Sequence, residues 1–75
     1  MTLDGLAKGI VGKVTVVGGT GSFRRRLMEL GLLPGTQVAR TGSAPLGDPL
    51  SFLVRGAVVC LRRDDARLVE VVVAG

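Results

Sequence analysis

Between Thr20 and Gly35 the chain reads T-G-S-F-R-R-R-L-M-E-L-G-L-L-P-G, and this is its only stretch with clear helical period. Phe23, Leu27 and Leu30 recur at i, i+4 and i+7, so a helix here carries one apolar stripe. Ser22 stands where an N-cap hydroxyl can accept a bond from a first-turn N–H. Gly31 can take the left-handed conformation that ends a helix, and Pro34-Gly35 makes a tight turn beyond it. A short helix with a single apolar stripe needs a second layer to bury it, and the rest of the chain reads as strands. The stripe is therefore expected to plug a small β-barrel, with Arg24, Arg25, Arg26, Leu32 and Leu33 left on display.

The strands follow from alternation and from turn residues. Leu3 and Leu6 flank a single turn and are expected to anchor the N-terminal segment to the barrel rim. Ile10 to Val17 alternates, with Val14 and Val16 inward and Lys13 and Thr15 outward. Gly18-Gly19-Thr20-Gly21 breaks that strand. Its spacing fits neither the phosphate-binding loop nor the dinucleotide fingerprint, so it reads as a structural turn. Thr36 to Thr41 is a second strand with Val38 inward and Arg40 on the same face, its head reaching water at the barrel mouth. Gly42 to Pro49 is loop, with Leu46 at its tip.

Leu50 to Arg63 reads as a hairpin turning at Arg55-Gly56. That register pairs Val54 with Ala57, Phe52 with Val59 and Leu50 with Leu61 on the core face. Leu53 and Val58 then form an apolar pair on the outer face, with Ser51 opposite Cys60. Asp64-Asp65-Ala66 makes a short turn, and Leu68 to Val73 closes the sheet with Val69, Val71 and Val73 inward and Glu70 outward. The expected fold class is mainly β: a small, partly open SH3-like barrel of about five strands with one short lid helix. Residues 1–75 form one domain, with no repeat, linker or second unit.

The functions open to such a chain are few. A domain of 75 residues buries only about 60% of its unfolded surface, leaving no room for an ordinary enzyme cleft beside the core. There is no histidine to act as a base, and Cys60 lies mid-strand with nothing to lower its pKa, so it reads as a buried or half-buried structural thiol. Catalysis is not expected. One cysteine and no histidine cannot assemble a zinc set within one chain. Asp48, Asp64, Asp65 and Glu70 offer at most a weak hard-cation site, and a divalent ion held between two chains stays open. Asp64-Asp65 lies between Arg63 and Arg67, where local ion pairs are simpler. Likewise, Arg25 and Glu29 stand at i, i+4 on the helix.

The net charge of +4 permits acidic partners. Nucleic acid is disfavoured, because single-strand binders need stacking platforms and both phenylalanines, Phe23 and Phe52, are assigned to the core. No apolar run approaches the length of a membrane helix, and the N-terminus has no signal-peptide pattern. With a single cysteine that cannot pair internally, cytoplasmic residence is the expectation. What remains is protein recognition. Its candidate residues are Arg24, Arg25 and Arg26, then Leu32, Leu33 and Pro34 in the turn, Leu46 and Asp48 in the loop, and the outward Leu53/Val58 pair, which also hints at self-association.

R-R-R-L-M-E-L-G-L-L-P-G from Arg24 to Gly35, followed by A-P-L-G-D-P from Ala44 to Pro49, resembles the ferrous iron transport protein A (FeoA) family. The hairpin V-R-G-A-V-V-C-L-R-R and the closing L-V-E-V fit the same pattern. Arg24, Leu27 and Leu30 match its helix, Gly31, Pro34 and Gly35 its turn, and Pro45, Leu46, Gly47, Asp48 and Pro49 its loop. Arg40, Thr41 and Gly42 depart from it. The resemblance implies a stand-alone cytoplasmic SH3-like domain that assists ferrous iron uptake by contacting the membrane GTPase FeoB, with no insertion of its own into the membrane. It also brings the family's description as transition-metal-ion binding. That description and a small basic RNA-binding barrel are the alternative functions.

Overall fold

The computed structural model describes residues 1–73. A 3₁₀ turn at Leu3–Gly5 leads into strand β1 (Val11–Val17), helix α1 (Gly21–Glu29), β2 (Gln37–Ser43), β3 (Leu50–Val54), β4 (Ala57–Leu61), the short helix α2 (Arg63–Ala66) and β5 (Val69–Val73). The strands form one antiparallel sheet in the order β4-β3-β2-β1-β5. The fold is the small SH3-like barrel expected.

The β3–β4 hairpin has the register read from the sequence, Leu50 opposite Leu61 through to Val54 opposite Ala57. Arg55 (φ 52°) and Gly56 (φ 81°) both take positive φ, as a two-residue turn matched to strand twist requires. Phe52 and Leu50 are wholly buried, with Val54, Val59 and Leu61 beside them, and Leu53 and Val58 face outward.

Two bulges alter the other strands. Opposite β5, Val14 pairs with Val71 and Val16 with Glu70, so Thr15 is an extra residue. Past the bulge the alternation shifts: Val16 turns outward, against expectation, and Val17 turns in. Opposite β3, Arg40 pairs with Phe52 and Gly42 with Ser51, leaving Thr41 as the extra residue. β2 thus runs on to Ser43, two residues into the expected loop. Val73 was expected inward but is half-exposed; its cross-strand partner is Gly12, which has no side chain to cover it.

The helix is less of a plug than its stripe implies. Leu27 is buried, but Phe23 is 38% and Leu30 36% exposed. Thr20, not Ser22, is the N-cap residue, and its side chain makes no capping bond. At the other end Gly31 takes φ 99°. Leu32 N–H donates to Leu27 O (3.2 Å) and Gly31 N–H to Met28 O (3.0 Å), a Schellman ending. This ending turns Leu32 back onto Leu27, and both join the core. The barrel is sealed by Leu27, Leu32, Leu3, Leu6 and Ala66 together.

Gly18, in the glycine-rich turn, has a packing reason: its N–H donates to Leu68 O, and an added Cβ would lie 2.8 Å from that oxygen. Arg40 does not reach for water. Its Nε donates to Gly42 O (2.8 Å) and its Nη1 to Leu6 O (3.0 Å), tying the N-terminal segment to the β2 bulge.

Asp4 secures the same segment. Thr2 Oγ1 donates to Asp4 Oδ1, and Arg67 Nε stands 3.5 Å from Asp4 Oδ2 while its Nη1 reaches Asp64 Oδ1 at 3.0 Å. The Thr2 bond is the main cause holding the Asp4 carboxyl below its ordinary pKa; burial opposes it and Arg67 adds to it. A depressed folded pKa stabilises above the unfolded value, near 3.9, and the contribution is lost as pH falls through the folded value. Asp4→Asn is therefore expected to lower stability at neutral pH by up to about 1 kcal/mol. It should also flatten the loss of stability below about pH 4. Urea midpoints across that range check both; an unchanged acid limb would remove this role for Asp4.

Candidate protein-contact surface

The expected contact residues do not form one patch. Arg24, Arg25 and Arg26 are exposed on α1, and Arg24 Nε donates to Val17 O at 3.0 Å, which fixes its stem across the strand end. Gly21, Arg24, Arg25, Met28 and Glu29 line a shallow depression there. The ion pairs found among the described residues are those of Arg67, so Arg25 and Glu29 are not joined. Leu32 is wholly buried and presents nothing; it is a core residue, for the reason given by the helix ending. Leu33 is half-buried and Pro34 exposed.

Leu46 is 98% exposed at its loop tip, and the loop beneath it is clamped. Ala44 N–H donates to Pro49 O, Asp48 Oδ1 accepts from Arg63 N–H (3.1 Å), and Arg63 Nε donates to Gly47 O (2.8 Å). Asp48 thus satisfies a backbone donor in the first turn of α2, an internal use. Leu46 and Asp48 lie at the Leu50 end of β3. Leu53 and Arg55 lie at the other end, about 14 Å along the strand.

At that second end the outer face gathers residues that strand-by-strand reading did not connect. Val58 pairs with Leu53, Leu53 with Ala39 and Ala39 with Val11, one apolar row across four strands. Val58 is 67% exposed, Val11 43% and Leu53 42%. Val11, Gly35, Thr36, Gln37, Ala39, Leu53 and Arg55 line a groove of about 490 Å³. The Pro34-Gly35 turn therefore meets the outer face here, and Arg55 Cδ would lie 3.6 Å from a Cβ on Gly31, next to the helix end. Val11, Gln37, Ala39 and Arg55 were missed. Carrying the hairpin's outward pair across β2 to β1 by alternation would have found Ala39 and Val11.

Cys60 is exposed, not half-buried; it lies on the outer face of an edge strand. Phe23 is the one exposed aromatic ring, Phe52 being buried. Among the described residues, no helix is long and apolar enough to cross a membrane.

The site thus comprises an SH3-like barrel with an apolar outer row and a separate arginine-bearing helix. Comparison with known proteins identifies the chain's relatives. Residues 1–73 match the model of the FeoA domain. A Fe(2+) transport protein A/Fe(2+) transporter FeoB fusion protein of Porphyromonas gingivalis is 37% identical over 71 residues, 95% of this chain and 8% of that protein's length. The solution structure of the FeoA protein of Chlorobium tepidum matches with TM-score 0.92 and 36% identity, covering all of this chain and 71% of that one. The crystal structure of FeoA from Stenotrophomonas maltophilia, complexed with zinc, matches with TM-score 0.84 and 32% identity over 95% of this chain and 88% of that one. That protein is described as an SH3-domain protein and a candidate activating factor of ferrous iron transport. The chain belongs to the FeoA family and is thereby associated with ferrous iron transport. The zinc is a finding about the Stenotrophomonas protein: among the described residues here, no three His, Cys, Asp or Glu side chains stand together to hold a metal ion.

Proposed function

We propose that this chain is a cytoplasmic, non-enzymatic accessory protein of ferrous iron uptake that acts by touching the cytosolic part of a FeoB transporter. The carrying observation is the Porphyromonas fusion, in which a relative of this whole domain is joined in one polypeptide to FeoB. A covalent link of this kind keeps the domain at high effective concentration beside the transporter. The groove lined by Leu53, Val11 and Arg55 supports the reading, since arginine and exposed apolar anchors are what interfaces favour.

Titration of the transporter's cytosolic GTPase domain, loaded with GDP or a GTP analogue, is expected to show binding in at least one nucleotide state. Leu53→Asp should weaken it at least tenfold, about 1.4 kcal/mol, with the circular dichroism spectrum unchanged. Arg25→Glu should lower the association rate and its salt dependence. Absence of binding in every nucleotide state, and to the membrane domain as well, would overturn the proposal.

A further inference from the structure

The two edges of the sheet are finished differently. The outer edge of β5 is covered by the N-terminal residues: Thr2 bridges Glu70, Val71 N–H donates to Met1 O (2.8 Å), and the Met1 amino group donates to Val71 O (3.2 Å). The outer edge of β4 is bare. A two-residue hairpin loop makes Val54–Ala57, Phe52–Val59 and Leu50–Leu61 the hydrogen-bonded pairs. The N–H and C=O groups of Val58 and Cys60 therefore point away from β3. None of these four groups has a protein partner among the described residues.

Proteins ordinarily blunt such an edge with charge, proline or a bulge. Within β4 the sequence is A-V-V-C-L, with none of the three. The Val58 side chain stands 67% exposed beside the edge and continues the apolar row of the outer face. Arginines flank it instead, Arg55 in the turn and Arg62 just past the strand. Both are exposed, and neither is paired with a carboxylate among the described residues.

We propose that the open edge of β4 takes up one extended segment of a partner protein, apolar at its centre and acidic at both ends, as an added strand. Four backbone groups in strand register are satisfied by another strand and not by a helix. The arginines select acidic ends. They also argue against a second copy of this chain: antiparallel pairing of β4 with itself brings the Arg55 end of each copy against the Arg62 end of the other, and like charges set together across a strand pair are destabilising. The proposal rests on the reading that this domain works by touching another protein, and it adds where and with what chemistry.

The test uses the full chain and a synthetic blocked peptide of alternating valine and threonine with paired acidic residues at each end. Amide hydrogen exchange, read by NMR, should slow at Val58 and Cys60 as the peptide is added. A peptide with lysine ends, or with proline at its centre, should leave them unchanged. Val58→Pro removes an N–H that β3 does not use, and should weaken peptide binding at least tenfold. If that variant does not fold, the exposed pair Arg55→Glu and Arg62→Glu should produce the same loss. Unchanged exchange at both amides, or binding that maps to Arg24–Arg26 instead, overturns the proposal. Slowing that grows with protein concentration and no peptide makes the occupant a second copy, which also overturns it. The peptide is blind to the transporter's identity. Protection by the peptide with no binding of the transporter domain would end only the functional reading. A transporter domain bound equally by wild type and Val58→Pro, with an inert peptide, would end only this one.

Discussion

Phe52→Ala is expected to destabilise the chain by about 3–5 kcal/mol, a large share of its total stability. Phe52 is wholly buried at the centre of β3, opposite Arg40 on one side and Val59 on the other. It is also the only aromatic ring in the core. Removing such a ring costs about 3–5 kcal/mol, from lost transfer energy and the cavity left behind. A chain of this length has about 4–11 kcal/mol in total at the usual stability per residue. One truncation therefore removes between about a quarter of what is available and all of it. Far-ultraviolet circular dichroism with urea titration reads the result. A variant with a near-wild-type midpoint would mean that the core does not converge on this ring.

The second large effect concerns two leucines that look alike in sequence. Leu32→Ala is expected to cost about 2–5 kcal/mol, while Leu46→Ala should stay within about 0.5 kcal/mol. Leu32 is wholly buried and Leu46 is 98% exposed. The difference originates at Gly31, whose positive φ closes the helix with the bonds from Leu32 and Gly31 to Leu27 and Met28. A residue placed immediately after such a glycine is directed back onto the helix's last buried turn. Urea midpoints of the two variants, measured side by side, decide the matter. Equal midpoints would mean that Leu32 is not held in the core.

The same pair shows what could be read from the sequence and what could not. The hairpin was fully legible because Arg55-Gly56 fixes a two-residue loop, and loop length fixes every pair that follows. Leu3 and Leu6 were legible as anchors because they are the two large apolar side chains of the short turn from Leu3 to Ala7. Alternation failed beyond Thr15, since counting by twos assumes an uninterrupted ladder and this threonine is an inserted residue; at Thr41, inserted likewise, it was the end of the strand that was misplaced, because β2 runs on to Ser43. Thr15 Oγ1 donates to Glu70 O, and Thr41 Oγ1 to Ser51 Oγ, bonds that depend on strands distant in sequence. The helix stripe misled for a different reason. A helix of nine residues laid over a barrel end covers one turn well, and Leu27 occupies it. As for the contact surface, each half of the outer row was visible within its own strand. Only the pairing of β2 with β1 and β3 joins Val11 and Ala39 to Leu53 and Val58.

Cys60 is the chain's single thiol, and it stands in the open on the outer face of β4. A maleimide-linked dye or spin label would attach there and nowhere else, without entering the interior. It would sit one residue from the barrel's interior side chains and directly along the unpaired border, so a protein settling against that border would change its emission or mobility. The molecule thus carries its own attachment point for watching whatever comes to rest beside it.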